Sequence, residues 1–148
     1  MSAPTESAEK IRIAFMCVQN AGRSQMSTAF AERERTRRDL EDRVEILTGG
    51  THPAATVHEE VLTVMDEAGF DLTGRSPQEI TLEELQSCDY VATMGCSTLD
   101  VGDVGRAVDV RDWALADPDG RDLDSVREIR DEIEGRVTDL FNEFSDPR

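Results

Sequence analysis

An apolar run of seven residues, IRIAFMC (11–17), passes without a break into VQNAGR and then into SQMSTAFAERERTRRDL (24–40). The first stretch reads as a buried strand, and the last as an amphipathic helix with Met26, Ala29 and Phe30 on its apolar side. Only six residues, Val18 to Arg23, are left to turn the chain between them. A strand joined so tightly to a helix is the opening half of a βαβ unit. The rest of the chain keeps the alternation. VEILT (44–48), closed by Gly49-Gly50, is a second strand, and VHEEVLTVMDEA (57–68) is a helix with Gly69 as its C-terminal cap. TLEELQS (81–87) opens on a Thr81–Glu84 capping box and is a short helix. YVATM (90–94) is a third strand and AVDVRDW (107–113) a weaker fourth. The closing helix, 125–144, aligns Val126, Ile129, Ile133, Val137, Leu140 and Phe144 behind a Ser125–Glu128 capping box. The expectation is an α/β fold with a parallel sheet and helices on both faces. Residues 1–10 read as a disordered tail and 11–148 as one domain.

Charge narrows the partners. There are 32 acidic residues against 16 basic ones, a net of −16, and the only lysine is Lys10. Such a field repels nucleic acid and anionic membranes. Scarce lysine beside abundant carboxylates favours a halophilic protein, hydrated in high salt, over an acidic mesophilic one. The first ten residues lack the apolar core of a signal peptide, and no apolar run is long enough to span a bilayer, so a cytoplasmic protein is expected. The three cysteines, Cys17, Cys88 and Cys96, form no Cys-x-x-Cys pair, and neither His52 nor His58 lies near one in sequence. Neither a disulfide framework nor a metal site is expected.

Cys17 ends the first strand, where open parallel sheets bind ligands. Val18, Gln19, Asn20, Ala21 and Gly22 form the turn, and Gly22 is the residue free to take a positive φ. Successive amides of such a turn can form an anion nest, reinforced by the helix N-terminus. Arg23 can return its planar guanidinium to the same centre for bidentate contact. These donors would hold a tetrahedral oxyanion and stabilise a thiolate at Cys17, with the Ser24 hydroxyl donating to the sulfur.

CVQNAGRSQMSTAF resembles the low-molecular-weight protein tyrosine phosphatase superfamily, most closely its arsenate reductase branch. The likeness continues through GTHPAATVHEEVLTVMDEAGFDL, VATMGC, DWALADP and VREIRDEIEGRV, nearly the whole chain from Ile11. The resemblance implies a three-layer sandwich around a four-stranded parallel sheet of order 2-1-3-4. It implies that Asn20 holds the loop's shape and that Asp117, restrained by Pro118, is the general acid for a departing oxygen. In that order the first and third strands are neighbours, so Cys96 and Cys17 share one sheet edge, and Cys96 could serve as resolving thiol. Thioredoxin-linked members carry a further redox cysteine just beyond; here Leu99 and Asp100 stand there. No bound cofactor is implied, only an external reductant: a thioredoxin-like or glutaredoxin-like protein, or a small thiol.

Two enzymes share the first step on such a loop. A phosphatase of this superfamily commonly places aromatics after the Asp-Pro to hold a phenyl ring; Asp119-Gly120 follows here. Arsenate reductase is therefore the expected activity, on arsenate with phosphate or sulfate as competing oxyanions, and tyrosine phosphatase is the alternative. A monomer is expected, with a dimer as the alternative. His52 and His58 are expected at the surface, and Arg75 at the fringe of the site.

Overall fold

The computed structural model describes residues 11–17, 19–50, 52–94, 108–113, 115, 116, 118 and 120–145. The expected tail, 1–10, lies outside them. Eight elements follow in chain order: β1 (Ile11–Cys17), α1 (Arg23–Arg37), β2 (Val44–Gly50), α2 (Glu59–Glu67), α3 (Leu82–Gln86), β3 (Tyr90–Thr93), β4 (Asp109–Asp112) and α4 (Leu123–Ser145). The strands form one sheet of order β2-β1-β3-β4, every pairing parallel. This is the sheet the resemblance implied.

β1 is central because it is apolar on both faces. Ile13, Phe15 and Cys17 point toward α1, α2 and α4, where Met26, Phe30, Val61, Met65, Ile133, Val137 and Phe141 fill the larger core. Ala14 and Met16 point the other way, onto Ile80, Leu85, Cys88, Val91 and Val108 beside α3. A strand buried on both sides reads as a continuous apolar run. Each large side chain removed from water contributes about 1.5–3 kcal/mol.

The helix ends show which residues carry local instructions. Thr81 and Glu84 form the expected capping box of α3. Gly69 has φ +94, and the amides of Gly69 and Phe70 bond the carbonyls of Asp66 and Met65, a Schellman closure of α2. The last helix departs from expectation, since it starts at Leu123 and not at Ser125. The amide of Ser125 donates to the Asp122 carboxylate at 3.1 Å, so the cap is Asp122, three residues before Ser125. A carboxylate accepts from an N3 amide as well as a hydroxyl does and also favours the positive helix end. The side chain of Phe144 lies outside the described residues; Phe141, fully buried, fills the apolar face nearby.

β2 also runs longer than the expected 44–48. Met16 and Cys17 pair with Gly49 and Gly50, so both glycines belong to the strand. Gly49 is there for space. A Cβ at this position would lie 2.5 Å from Ile80 Cβ and 2.8 Å from the Ile80 nitrogen. That close approach lets Gly50 donate to the Gln78 carbonyl at 2.9 Å and bridge to Glu79.

Gly49→Ala is expected to destabilise the fold by about 1–3 kcal/mol, the range of overpacked cores. Gly74→Ala, where nothing lies within 4 Å of an added Cβ, should change stability by less than about 0.5 kcal/mol. Equilibrium denaturation of both variants checks the contrast.

Candidate active site

The turn after β1 lies at the carboxyl edge of the sheet, between Cys17 and the first residue of α1, Arg23. Val18 is outside the described residues, as are Cys96 and Asp117. The residue with positive φ is Asn20, at +53, not Gly22, whose φ is −141. Asparagine tolerates the left-handed region because its short amide can bond locally. Gly22 is needed for a different reason. A Cβ on it would meet Pro118 Cγ at 3.0 Å and His58 Cδ2 at 3.5 Å.

Three successive carbonyls of the turn are held by donors outside it. Gln19 O accepts from the Ala54 amide at 2.9 Å, and Ala21 O from the His58 amide at 3.0 Å. Asn20 O accepts from Gln25 Nε2 at 3.1 Å. In a planar trans peptide the next N–H points opposite its carbonyl. The amides of Asn20, Ala21 and Gly22 therefore face away from those three donors. The first of them shows the consequence: Asn20 N–H donates to Cys17 Sγ at 3.2 Å.

The sulfur has a second partner. Ser24 Oγ lies 3.0 Å from Cys17 Sγ. Asn20 Nδ2 donates to the same Ser24 oxygen at 2.7 Å. The hydroxyl therefore accepts from the asparagine and keeps its proton for the sulfur. Cys17 and Ser24 are both buried, at 3% and 0% exposure. The start of α1 has no cap of its own: Gly22 offers no side chain and the first turn contains no acidic residue. Uncapped helix amides of this kind can bind an anion. By contrast, α2 carries Glu59 and Glu60 in its first turn.

Arg23 Nη1 donates to Met94 O at 2.5 Å and to Leu115 O at 2.9 Å. Both carbonyls lie just past strand ends, so the guanidinium is held along the same edge as the turn. The other described cysteine, Cys88, is remote. Cys88 precedes β3, at the opposite end of the sheet, and its thiol donates to Glu84 O at 3.3 Å. Burial pushes that thiol up, which keeps it protonated and unreactive.

Besides Ser24, three neighbours that the sequence did not single out hold Asn20. Its Nδ2 bonds Thr48 Oγ1 at 2.9 Å as well as Ser24, and its Oδ1 accepts from the Gln78 amide at 2.9 Å and from Gln25 Nε2 at 3.0 Å. The only available signal was polar character in buried places: Gln25 is 1% exposed on the inner side of α1. His58 touches the turn through its backbone and ring edge, while His52 is exposed. Arg75 lies in the space lined by Gln25, Thr48 and Gln78, which hold Asn20. It pairs with Glu32 at 2.5 Å beside β2. Among the described residues no group of three or more His, Cys, Asp or Glu could hold a metal ion, and no helix is long and apolar enough to cross a membrane.

A cysteine, a turn of inward amides and an arginine at the edge of a 2-1-3-4 parallel sheet point to one family. The sequence pattern of the low molecular weight phosphotyrosine protein phosphatases matches residues 12–147. The chain belongs to this family. A relative from Halobacterium salinarum, provisionally named an arsenate reductase, is 69% identical over 134 residues, 90% of this chain and 93% of the relative. The glutaredoxin arsenate reductase of Synechocystis is 27% identical over 90% of this chain and 98% of its own length. The solved thioredoxin-dependent arsenate reductase of Corynebacterium glutamicum superposes with a TM-score of 0.77 at 28% identity, covering 99% of this chain and 68% of that one.

Within this family fold, Asn20→Ala is expected to cost about 2–4 kcal/mol, combining lost hydrogen bonds with a left-handed residue bearing a Cβ. Asn20→Gly should cost about 1–2 kcal/mol less, because glycine adopts that φ freely. Denaturation midpoints of the two variants separate the backbone part from the side-chain part.

Proposed function

We propose that this protein is a cytoplasmic arsenate reductase with Cys17 as nucleophile. The observation that carries the reading is the turn itself, whose carbonyls are held from outside while Asn20 N–H and Ser24 Oγ meet the Cys17 sulfur. Arsenate would bind against the amides of residues 18–22 and the guanidinium of Arg23. The thiolate attacks arsenic and a sulfur–arsenic bond forms. One arsenate oxygen departs, protonated by Asp117, as water. A second thiolate then attacks the sulfur of Cys17. The sulfur–sulfur bond forms, the sulfur–arsenic bond breaks, and its electron pair reduces arsenic from the +5 to the +3 state. Arsenite leaves, and the disulfide awaits an external thiol. We assign the second thiol to Cys96 or to that external thiol.

The named relatives support the substrate, since they include thioredoxin- and glutaredoxin-linked arsenate reductases. They differ in reductant, so thiol dependence is the shared property. The aromatic side chains support it too. Trp113, four residues before Asp117, is buried with its ring 5.9 Å from Phe15. Tyr90 starts β3 at the far end of the sheet, its ring under Arg111. Neither offers a wall for a phenyl ring, which suits a bare oxyanion. The acidic, arginine-based composition and the relative from Halobacterium support work in high salt.

The test is arsenite release from arsenate in concentrated KCl with a dithiol, beside hydrolysis of an aryl phosphate. Arsenite is expected, with Cys17→Ser slower by at least about three orders of magnitude and Asp117→Asn by about 10²–10³-fold. Thiol mapping after one turnover should show Cys17 joined to Cys96 or to the added thiol. Aryl phosphate turnover without arsenite under any thiol would overturn the reading in favour of a phosphatase.

A further inference from the structure

Gln25 stands outside the Cys-x5-Arg-Ser pattern, yet it is bonded twice to the residue on which the turn depends. Its Nε2 donates to Asn20 O at 3.1 Å and to Asn20 Oδ1 at 3.0 Å. It is 1% exposed and lies two residues past Arg23 in α1. The amide orientation is fixed by an independent donor. The Gln78 backbone N–H can only donate, and it lies 2.9 Å from Asn20 Oδ1. That atom is therefore the asparagine oxygen, and Gln25 must present its NH₂ group to it.

We infer that Gln25 is a positioning residue: its side-chain amide orients the Asn20–Ala21 peptide and the Asn20 side chain, and through them the Ala21 N–H that faces the oxyanion. The inference rests on the oxyanion site proposed above, but not on arsenate being the substrate.

Gln25 and any alternative donor compete for the Asn20 carbonyl. Asn20 O is a carbonyl in a turn at the sheet edge. Left unbonded, it would seek another donor, and the nearest route is rotation of the peptide plane. Rotation would carry Ala21 N–H out of the turn and place a partial negative charge beside Cys17. A donor on the rigid first turn of α1 removes that option without reaching the substrate. Neighbouring peptides are held by backbone amides, from Ala54 and His58. Of these three described peptides, the central one alone is held by a side chain, so it is the one that a substitution can release. The same NH₂ group shares Asn20 Oδ1 with Gln78, leaving Asn20 Nδ2 directed at Ser24 and Thr48. Ser24 then keeps its proton for the Cys17 sulfur.

The test compares Gln25→Met, nearly isosteric but without a donor, with Gln25→Glu. Readouts are the rate of Cys17 alkylation by iodoacetamide at neutral pH and its protection by inorganic phosphate. In Gln25→Met we expect the protein to fold, alkylation to slow about tenfold, and the phosphate needed for protection to rise about tenfold, one charge-assisted hydrogen bond's worth. In Gln25→Glu the carboxylate faces two carbonyl-type oxygens, so the losses should be larger. They should shrink as the pH is lowered, because burial and the facing oxygens raise that carboxyl's pKa and its protonated form donates again. A merely structural role would not produce that acid recovery.

A folded Gln25→Met protein with parental alkylation and phosphate protection would overturn the inference. In the parental protein, the Gln25 side-chain N–H protons should exchange slowly and shift when phosphate binds. Rapid exchange would overturn it too, whether or not the variants fold. Phosphate protection that responds to Gln25 in a protein making no arsenite would remove the reductase reading and leave this inference standing.

Discussion

The site depends on one asparagine amide held from three directions. Asn20 takes a left-handed φ of +53, and its side chain bonds α1 through Ser24 and Gln25, β2 through Thr48 and the 72–80 segment through the Gln78 amide. Each partner is delivered by ordinary packing elsewhere. The register of β1 with β2 sets Thr48 opposite Phe15, two residues before Cys17. Thr48 Oγ1 donates to Phe15 O at 3.2 Å and so presents a lone pair to Asn20. Gly49, lacking a Cβ, lets Ile80 close on β2 and brings Gln78 within reach. The shape of the turn is thus imported from the sheet, and hydrophobic burial far from the sulfur sets the direction of amides beside it.

A chain with a net charge of −16 faces a difficulty in holding an oxyanion. The long-range field opposes approach of the ligand. Many of the arginines are also spoken for. Arg111 pairs with Asp109 and Glu143, Arg127 with Glu67 and Asp124, Arg33 with Glu134 and Arg75 with Glu32. These pairs are exposed or half-buried and individually worth little. The resolution lies in range. At 1 M salt charges are screened beyond about 3 Å, while a hydrogen bond made in contact is not. Recognition built from backbone amides, a hydroxyl and one guanidinium acts entirely at contact distance. Salt that hydrates the acidic surface therefore silences the repulsion and leaves the donors intact.

The sequence showed the chemistry more plainly than its support. Cys17, Arg23 and Ser24 are legible because the nucleophile, guanidinium and hydroxyl we propose must sit at fixed spacing across one strand-to-helix turn. The alternation of strands and helices is legible because apolar periodicity survives in each. Strand order was not readable from periodicity and came from family likeness. Conformational freedom alone makes Gly22 the expected left-handed residue. Asn20 takes that conformation because four partners reward its amide, and those partners are distant in sequence or one helical turn away. Gln25 looks in sequence like a solvated position on a charged helix. Its burial is visible only when α1 is laid against β1. Ser125–Glu128 fits a capping box as well as Asp122 fits a cap. The structure chooses Asp122, whose carboxylate accepts the Ser125 amide, and periodicity, which is the same for both starts, carries no sign of it.

Arsenate and phosphate share charge, tetrahedral shape and acceptor geometry. A turn of amides with one guanidinium has no atom that can tell them apart. Selectivity must then arise after binding, from what the bond to sulfur permits. A phosphorus–sulfur bond attacked at sulfur would have to place an electron pair on phosphorus, which resists reduction, so phosphate can only exchange or hydrolyse. Arsenic accepts the pair and leaves in its lower oxidation state. On this view the turn at residues 17–24 is a shared device for capture and first attack. The family's division into phosphatases and reductases lies in which nucleophile is admitted next, water or a thiol. With Trp113 packed on Phe15 and Tyr90 at the other end of the sheet under Arg111, neither ring is placed to hold a phenyl group, which favours the thiol as the second nucleophile.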